Sequence, residues 1–372
     1  MLIIVNDDTS AARRVLVVDP APGEQALTEL TALAGLGLVP TVNVRRVHDA
    51  ALRARIAAAW DTVDFDGFDE RELGRRLEDE GEGYEVLKCR AGIPLTRAVL
   101  EQATGERLRR RLVLAGRAAT GSDTFDHRAA RDLGVAIRTT PGANASAVAE
   151  LTVALMLDAL RAVSRRDREL RAGAWGDATT GLPAPGLSDA RVGLVGTGAV
   201  SRRVADLVRA FGGEVLVLGS PRFTPDRAAG WPGQRVESLA ELLAACDVIS
   251  VHVPATPETA GLVGEAELRA MRPGSVLVNT SRAAVVDEDA LDRVLRDPAA
   301  GPARAAVDVF TREGARFSSP LTSNPHCTLS PHAAGMTRSA TREASTRLVD
   351  EFARFLTGGA QRGTTGENGR AG

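Results

Sequence analysis

Three short segments near the end of this 372-residue chain carry side chains suited to acid–base chemistry on a small anion. They are Val278-Asn279-Thr280-Ser281-Arg282, Ala306-Val307-Asp308-Val309-Phe310-Thr311-Arg312-Glu313, and Ser330-Pro331-His332-Ala333-Ala334-Gly335. The first two begin as strands, and all three end in loop-like residues. In an open parallel sheet the carboxyl ends of the strands line the crevice that takes ligand, so Arg282, Glu313 and His332 are expected to converge there. Reducing a keto acid calls for a cation to hold its carboxylate, a proton donor at the carbonyl oxygen and a group that keeps the donor protonated. The planar fork of Arg282 suits the first task. His332 suits the second, because an ordinary imidazole titrates near neutrality. Glu313 beside it would stabilise the imidazolium.

A cofactor signature lies upstream. Val192-Gly193-Leu194-Val195-Gly196-Thr197-Gly198-Ala199-Val200-Ser201 follows a strand and opens a helix, the context a dinucleotide fingerprint requires. Gly196 is expected to make the tight turn, and Gly198 to let backbone approach a pyrophosphate. Ser201 stands where a third small residue packs helix on strand, and the helix N-terminus faces the phosphates. An acid about 20 residues further on usually holds the adenosine ribose. Here the strand Val215–Leu218 ends in Gly219-Ser220-Pro221-Arg222, with no carboxylate to repel a 2′-phosphate. Ser220 and Arg222 would receive that phosphate, so the reading favours NADP(H) within NAD(P)H; the other reading leaves Arg222 solvated and NAD(H) held without the acid.

The elements that must position these residues form two alternating series. The first has strands at Arg13–Pro20, Tyr84–Cys89, Leu112–Ala115 and Ala136–Arg138, with helices at Glu24–Leu33, Thr96–Thr104 and Phe125–Leu133. Its stretch from Val47 to Gly83 reads as one or two exposed helices. After the break Pro141–Asn144 comes a long apolar helix, Ser146–Val163, and then a Gly/Pro/Asp/Thr stretch, Gly173–Ser188. The second series has strands at Val192–Val195, Val215–Leu218, Val248–Val251, Ser275–Asn279 and Ala305–Val309 and ends in a helix at Thr337–Leu356. Strand–helix alternation means parallel α/β layers, and two of them fit this length.

Composition narrows the function. Apolar residues make up 44%, charged residues 25%, and the net charge is −2 with no like-charged block, which argues against nucleic acid or an anionic membrane as partner. No apolar stretch approaches the ~20 residues that span a bilayer. Cys89, Cys246 and Cys327 show no metal-ligand spacing, so no metal site is expected, and they read as reduced, buried thiols of a cytoplasmic protein.

Seven segments in order carry a resemblance: GRAATGSDTFD at 116–126, TPGANASAVAEL at 140–151, VGLVGTGAV at 192–200, DVISVHVPATPET at 247–259, NTSRAAVVDEDAL at 279–291, AVDVFTRE at 306–313 and SPHAAG at 330–335. The chain resembles the D-isomer-specific 2-hydroxyacid dehydrogenases, most of all the 3-phosphoglycerate dehydrogenase branch, from about Val15 to Leu356 apart from an atypical stretch near residues 47–83. The resemblance implies an α/β fold of two doubly wound parallel-sheet domains. A Rossmann-like cofactor domain at 140–331 would be inserted in a flavodoxin-like substrate domain at 13–139 and 332–357, with flexible tails at 1–12 and 358–372. It implies catalytic roles for Arg282, Glu313 and His332. It puts nicotinamide contacts at His252, Val253, Pro254, Thr280, Ser281 and Asp308, with Ala199, Val200 and Gly335 also at the cofactor and Thr120 reaching it. Backbone N–H groups of Ala118, Ala119 and Gly121 would meet the substrate carboxylate.

Arg90 and Arg117 match positions that face a phosphate in that branch, which points to a substrate with a second anionic group. Ala119, where the family usually has Gly, adds a methyl near the carboxylate. Hydride transfer between a nicotinamide and a 2-keto or 2-hydroxy acid is therefore the expected activity. The reading from another class is a dinucleotide-sensing binding protein or co-repressor without turnover. The resemblance also implies a homodimer joined through the helix Ser146–Val163.

Overall fold

The computed structural model describes residues 12–175, 185–221, 223–297 and 301–358. The two expected tails fall largely outside these residues, as does Arg222. The described chain forms two compact units, the first ending at Asn144 and resuming at Arg338, the second running from Ala145 to Thr337.

In the first unit the elements are β1 (Arg13–Val17), α1 (Gln25–Gly35), β2 (Leu38–Asn43), α2 (Ala50–Ala59), β3 (Asp61–Val63), α3 (Glu70–Glu78), β4 (Val86–Cys89), α4 (Arg97–Ala103), β5 (Leu114–Arg117), α5 (His127–Asp132) and β6 (Ala136–Arg138). All six strands are parallel, in the order β3-β2-β1-β4-β5-β6. Without β3 this is a flavodoxin-like order; β3 extends it by one edge strand. Both faces are covered, so the strands are apolar on both sides. Val15 and Val17 pack into one layer with Leu30, Leu33 and Ile56, and Leu16 and Val18 into the other with Tyr84, Leu87 and Leu100.

The stretch from Val47 to Gly83 departs from the expected exposed helices. It contains two helices and also β3, and it buries Leu52, Ile56, Phe65, Leu73 and Leu77. The reason is spacing: Leu52/Ile56 and Leu73/Leu77 are i,i+4 pairs that put one apolar stripe on the Ala/Arg-rich α2 and one on the charged α3.

The second unit contains α6 (Ala145–Arg161), α7 (Val163–Arg171), β7 (Arg191–Val195), α8 (Ala199–Ala210), β8 (Glu214–Leu218), α9 (Pro225–Ala228), β9 (Gln234–Arg235), α10 (Leu239–Ala245), β10 (Val248–Val251), α11 (Glu265–Ala270), β11 (Val276–Asn279), α12 (Glu288–Leu295), β12 (Arg304–Val307) and β13 (Cys327–Leu329). The sheet order is β13-β12-β11-β10-β7-β8-β9, all parallel, the doubly wound dinucleotide-binding arrangement with β7 at the switch. The expected helix Ser146–Val163 is α6, which stops at Arg161 because Ala162 adopts a left-handed φ of 54°; α7 then follows from Val163. The chain then returns to the first unit as α13 (Arg338–Leu356), which seats Leu348 and Phe352 in its core.

The sequence set the crossings between units at 139–140 and 331–332, whereas they fall at Asn144–Ala145 and Thr337–Arg338. The second displacement has a clear cause. The loop after β13 is tied back to the end of β12 by hydrogen bonds from His332, Ala333 and Ala334 to Asp308.

Candidate active site

The strongest feature of the second unit is how His332 is held. β12 ends at Val307, and the next residue, Asp308, is fully buried. Its N–H donates to the Asn279 carbonyl at the end of β11 (3.0 Å), and its own carbonyl accepts from the His332 N–H (2.8 Å). Its carboxylate takes the next two amides, Ala333 N–H on Oδ1 at 2.9 Å and Ala334 N–H on Oδ2 at 3.0 Å. Three successive amides are thereby fixed, and His332 is locked at φ 52°, a left-handed conformation uncommon for a residue with a Cβ. The side chain is aimed by the same arrangement. Nδ1 lies 2.7 Å from Glu313 Oε2, while Glu313 Oε1 accepts the Phe310 N–H at 2.9 Å. An ionised carboxylate only accepts, so Nδ1 carries the proton and Nε2 is left to work outward. Both side chains stay about half exposed, as groups that meet a ligand must.

Arg282 follows β11, the strand beside β12. Asn279 shapes its loop: Nδ2 donates to the Arg282 carbonyl (3.0 Å), while Oδ1 accepts the N–H and Oγ of Ser281 (3.0 and 2.9 Å). The Arg282 guanidinium is half-buried and donates from Nη1 to the Ser281 carbonyl at 2.8 Å. Thr280 is buried, and its hydroxyl lies 2.7 Å from that of Thr152 on α6. Arg282, Glu313 and His332 thus hang from the carboxyl ends of three adjacent strands, β11, β12 and β13, and the structure brings Glu313 and His332 into direct contact.

The turn between β7 and α8 has the features a dinucleotide phosphate needs. Gly196 sits at φ 111°, and a Cβ there would lie 2.6 Å from the His252 carbonyl oxygen. A Cβ on Gly198 would meet nothing within 4 Å, so that face of the turn is open. Buried Ser201 closes helix on strand by donating to the Gly196 carbonyl at 2.6 Å, and the N–H groups of Ala199 and Val200 start the helix. His252, Val253 and Pro254 follow β10, next to β7. The His252 ring nitrogen Nε2 lies 2.9 Å from Ser250 Oγ, and burial pulls its pKa down to about 3, so the ring is neutral at ordinary pH. At the end of β8, a Cβ on Gly219 would stand 2.3 Å from the Phe223 Cβ, so the loop has no place for an acid. Ser220 is exposed there. Gly335 lies in the loop that carries His332.

In the first unit, Ala118, Ala119, Thr120 and Gly121 follow β5. Against expectation, the N–H groups of Ala118 and Ala119 are not turned to a ligand: they donate to the Cys89 (3.0 Å) and Arg117 (2.8 Å) carbonyls, which closes the turn after β5. Ala119 also accepts from Thr140 N–H (3.0 Å), and Thr120 Oγ1 donates to Asn144 Oδ1 at 3.0 Å. Arg117 points inward rather than toward a ligand. It is 2% exposed, donates to the carbonyls of Ile93 (2.6 Å) and Gly121 (3.2 Å) and to Thr124 Oγ1, and stacks on Phe125 at 4.0 Å. Its two terminal nitrogens meet acceptors that residue type alone does not announce, while its buried Nε meets none. Arg90, after β4, is half-buried and has an interaction of its own.

Comparison with known proteins fits this geometry. Residues 153–334 match the family described as D-isomer specific 2-hydroxyacid dehydrogenase, NAD binding domain. A glyoxylate reductase of Aeropyrum pernix is 37% identical over 256 residues, covering 68% of this chain and 74% of that protein. The chain belongs to the D-isomer-specific 2-hydroxyacid dehydrogenase family. A D-3-phosphoglycerate dehydrogenase of Methanocaldococcus jannaschii is 31% identical over 300 residues, 78% of this chain but 53% of that one, so the chain spans about half the length of that relative. Among solved structures, the TT0316 protein of Thermus thermophilus matches with a TM-score of 0.73 and 29% identity, over 93% of this chain and 97% of that one.

The matched family model is an NAD-binding domain, and the open face at Gly198 leaves the room that a dinucleotide phosphate needs. Among the described residues no group of His, Cys, Asp and Glu could hold a metal ion, and no helix is long and apolar enough to cross a membrane. The three cysteines are buried and free, and burial pushes the thiols of Cys246 and Cys327 up to about 12. The sequence reading did not reach Asn279, Thr152 or the anchoring work of Asp308. Asn279 carried a signal: an Asn at a strand end two residues before Ser281 is a side chain poised to cap a turn. Thr152 gave none, since a Thr inside an apolar helix reads as packing.

Proposed function

We propose that this dehydrogenase reduces a 2-keto acid with a nicotinamide cofactor, NADP(H) in preference to NAD(H), using His332 as the proton donor. The observation that carries the reading is the 2.7 Å pair between His332 Nδ1 and Glu313, with the His332 backbone locked by Asp308. Bound nicotinamide supplies the hydride. Arg282 pairs with the substrate carboxylate through its guanidinium; the Ala118 and Ala119 N–H groups are held by the Cys89 and Arg117 carbonyls, so a backbone donor from that loop would be Thr120 or Gly121. His332 delivers the proton to the carbonyl oxygen from Nε2, and Glu313 keeps the resulting imidazole in the Nδ1–H form and stabilises it when charged. In the opposite direction the same nitrogen takes the hydroxyl proton.

The NADP(H) preference rests on the Gly219–Phe223 turn, where no acid opposes a 2′-phosphate, and on exposed Ser220. The second-anion reading of the substrate is not carried into this proposal, since Arg117 is turned inward and Arg90 has an interaction of its own. The test is a panel of 2-keto acids followed by nicotinamide absorbance, with NADPH and NADH side by side. Consumption with at least one keto acid, faster with NADPH and lost in His332→Gln, is expected. No turnover across the panel would overturn the reading.

A further inference from the structure

The stretch between Val47 and Gly83 adds β3 and α3 to the first sheet, and between them it places a short loop, Asp64–Asp69, at that sheet's carboxyl edge. The loop is fastened there. Asn43, the last residue of β2, donates from Nδ2 to the Phe65 carbonyl (3.0 Å) and accepts the Phe65 N–H on Oδ1 (3.2 Å). The far end is fixed as Asp69 caps α3 through the N–H groups of Arg71 and Glu72 (2.8 and 3.0 Å). In between, Gly67 lies so close to the strand ends that a Cβ would stand 2.5 Å from Val18 and 3.3 Å from Ile93.

This lays the loop across β1 and β4, which are neighbours in the sheet although β2 and β3 lie on one side of β1 and β4 opens the other. Such a reversal point is where a doubly wound sheet forms its ligand crevice. Phe68 is the side chain delivered there. It remains 46% exposed, uncommon for a large aromatic, while its ring edge meets Gly92 so closely that a Cβ would approach to 2.8 Å. The next residue, Ile93, accepts from Arg117, whose other nitrogen holds the Gly121 carbonyl. Phe68 is therefore linked, through Gly92–Ile93 and Arg117, to the loop assigned to the substrate carboxylate.

The surroundings of Phe68 are poor in available positive charge. The Arg46 guanidinium lies 5.3 Å from the ring centroid, but it is paired with buried Asp19 at 3.0 Å. Arg117 faces inward, and Arg90 is engaged. A substituent arriving at this end of the sheet meets an aromatic face backed by a neutralised pair.

We propose that Phe68 selects the substituent of the 2-keto acid and that the substituent it takes is apolar. The inference rests on the keto-acid reading above and deepens it. The experiment compares wild type with Phe68→Ala and Phe68→Leu, reading the ratio of kcat/KM for 4-methyl-2-oxopentanoate to that for glyoxylate, which has no substituent. Losing the ring should lower the ratio roughly 10-fold in Phe68→Ala, and Phe68→Leu, which restores an apolar contact, should recover most of it. A purely structural role would lower both reactions together and leave the ratio unchanged, which overturns the proposal. So does a wild type that prefers a phosphorylated keto acid whatever residue stands at 68. Calorimetry with oxamate and N-isobutyl oxamate reads the same selectivity without turnover. If no keto acid is reduced, the functional reading falls, and this binding ratio alone decides the role of Phe68.

Discussion

Replacing Glu313 by Gln tests the centre of the proposed chemistry with little change in shape. In the wild type, Oε1 accepts the Phe310 N–H and Oε2 faces His332 Nδ1 at 2.7 Å. Gln keeps one oxygen, and the Phe310 N–H requires it. The amide nitrogen is then turned toward Nδ1, donor to donor unless the imidazole switches its proton to Nε2. The nitrogen that should deliver or receive a proton would then carry one as a neutral ring and give it up poorly. Protonating both nitrogens would set Nδ1–H against N–H. A charge-assisted hydrogen bond contributes about 1.5–3 kcal/mol, and the partial exposure of this pair favours the lower end. At about 1.4 kcal/mol per factor of ten, kcat should fall roughly 10- to 30-fold in both directions. The assay is kcat for reduction and for oxidation, with cofactor affinity measured in parallel. A near-normal rate in both directions would refute the pairing as a catalytic device and leave Glu313 an anchor for the Phe310 turn.

Four other outcomes can be checked directly. Gly219→Asp puts a Cβ 2.3 Å from that of Phe223, so the turn must shift; unfolding should show a loss of about 1–3 kcal/mol, and the NADPH-to-NADH ratio of kcat/KM should drop roughly 10-fold by like-charge repulsion, a constant ratio counting against the cofactor assignment. For His252, burial lowers the folded pKa from 6.5 to about 3, so its stabilising contribution is complete above pH 6.5 and is lost as pH falls toward 3. His252→Asn should therefore flatten the acid-side fall in melting temperature, a difference of about 2.7 kcal/mol two pH units below the pKa of free histidine, and parallel curves would show that the ring is freely solvated. Arg117→Met leaves the Ile93 and Gly121 carbonyls without their buried donor and should cost about 2–4 kcal/mol on thermal unfolding; a surface role would predict almost no change. The homodimer that the resemblance implies can be tested on α7, where Val163 and Leu170 are 58% and 56% exposed, whereas the apolar residues of α6 face its own core; a Val163→Glu/Leu170→Glu protein should have half the wild-type mass in light scattering, and equal masses would reject that face.

What the sequence made legible follows from which signals are local. Strands flanked by helices announced themselves through continuous Val/Leu runs, as in Val248–Val251, because both faces of a parallel sheet are covered. The Gly196 turn was legible because steric exclusion of a Cβ is written into the residue itself. β2 was not, since Pro40 interrupts it; β3 reaches only Thr41–Asn43, so at Pro40 the strand has no neighbour on that side, and the missing N–H is tolerated. β3 and β13 are three residues each and make sense only beside a partner strand. The break at Ala162 left no mark in composition, because nothing in Ala forecasts a left-handed φ.

Charge gave the least local information, and the reason is instructive. Arg117, Asp308 and Arg282 all stand at carboxyl ends of strands, and by residue type and position each was assigned a ligand. Burial separates them. Arg117 and Asp308 are 2% and 0% exposed, and each turns its charge on backbone groups of a loop: Arg117 on the carbonyls of Ile93 and Gly121, Asp308 on the amides of Ala333 and Ala334. A buried charge needs hydrogen-bond partners, and here they are the loops themselves, which are thereby held in conformations they would not keep alone. The left-handed His332 is the clearest case. Its strain is offset by three amides anchored on one aspartate, and its imidazole is then aimed by a glutamate that is itself fixed by a turn. The half-exposed groups, His332, Glu313 and Arg282, are left to meet the substrate. Such a division of labour between buried charges that shape loops and open charges that do chemistry cannot be read from residue type, because both kinds sit at the same strand ends.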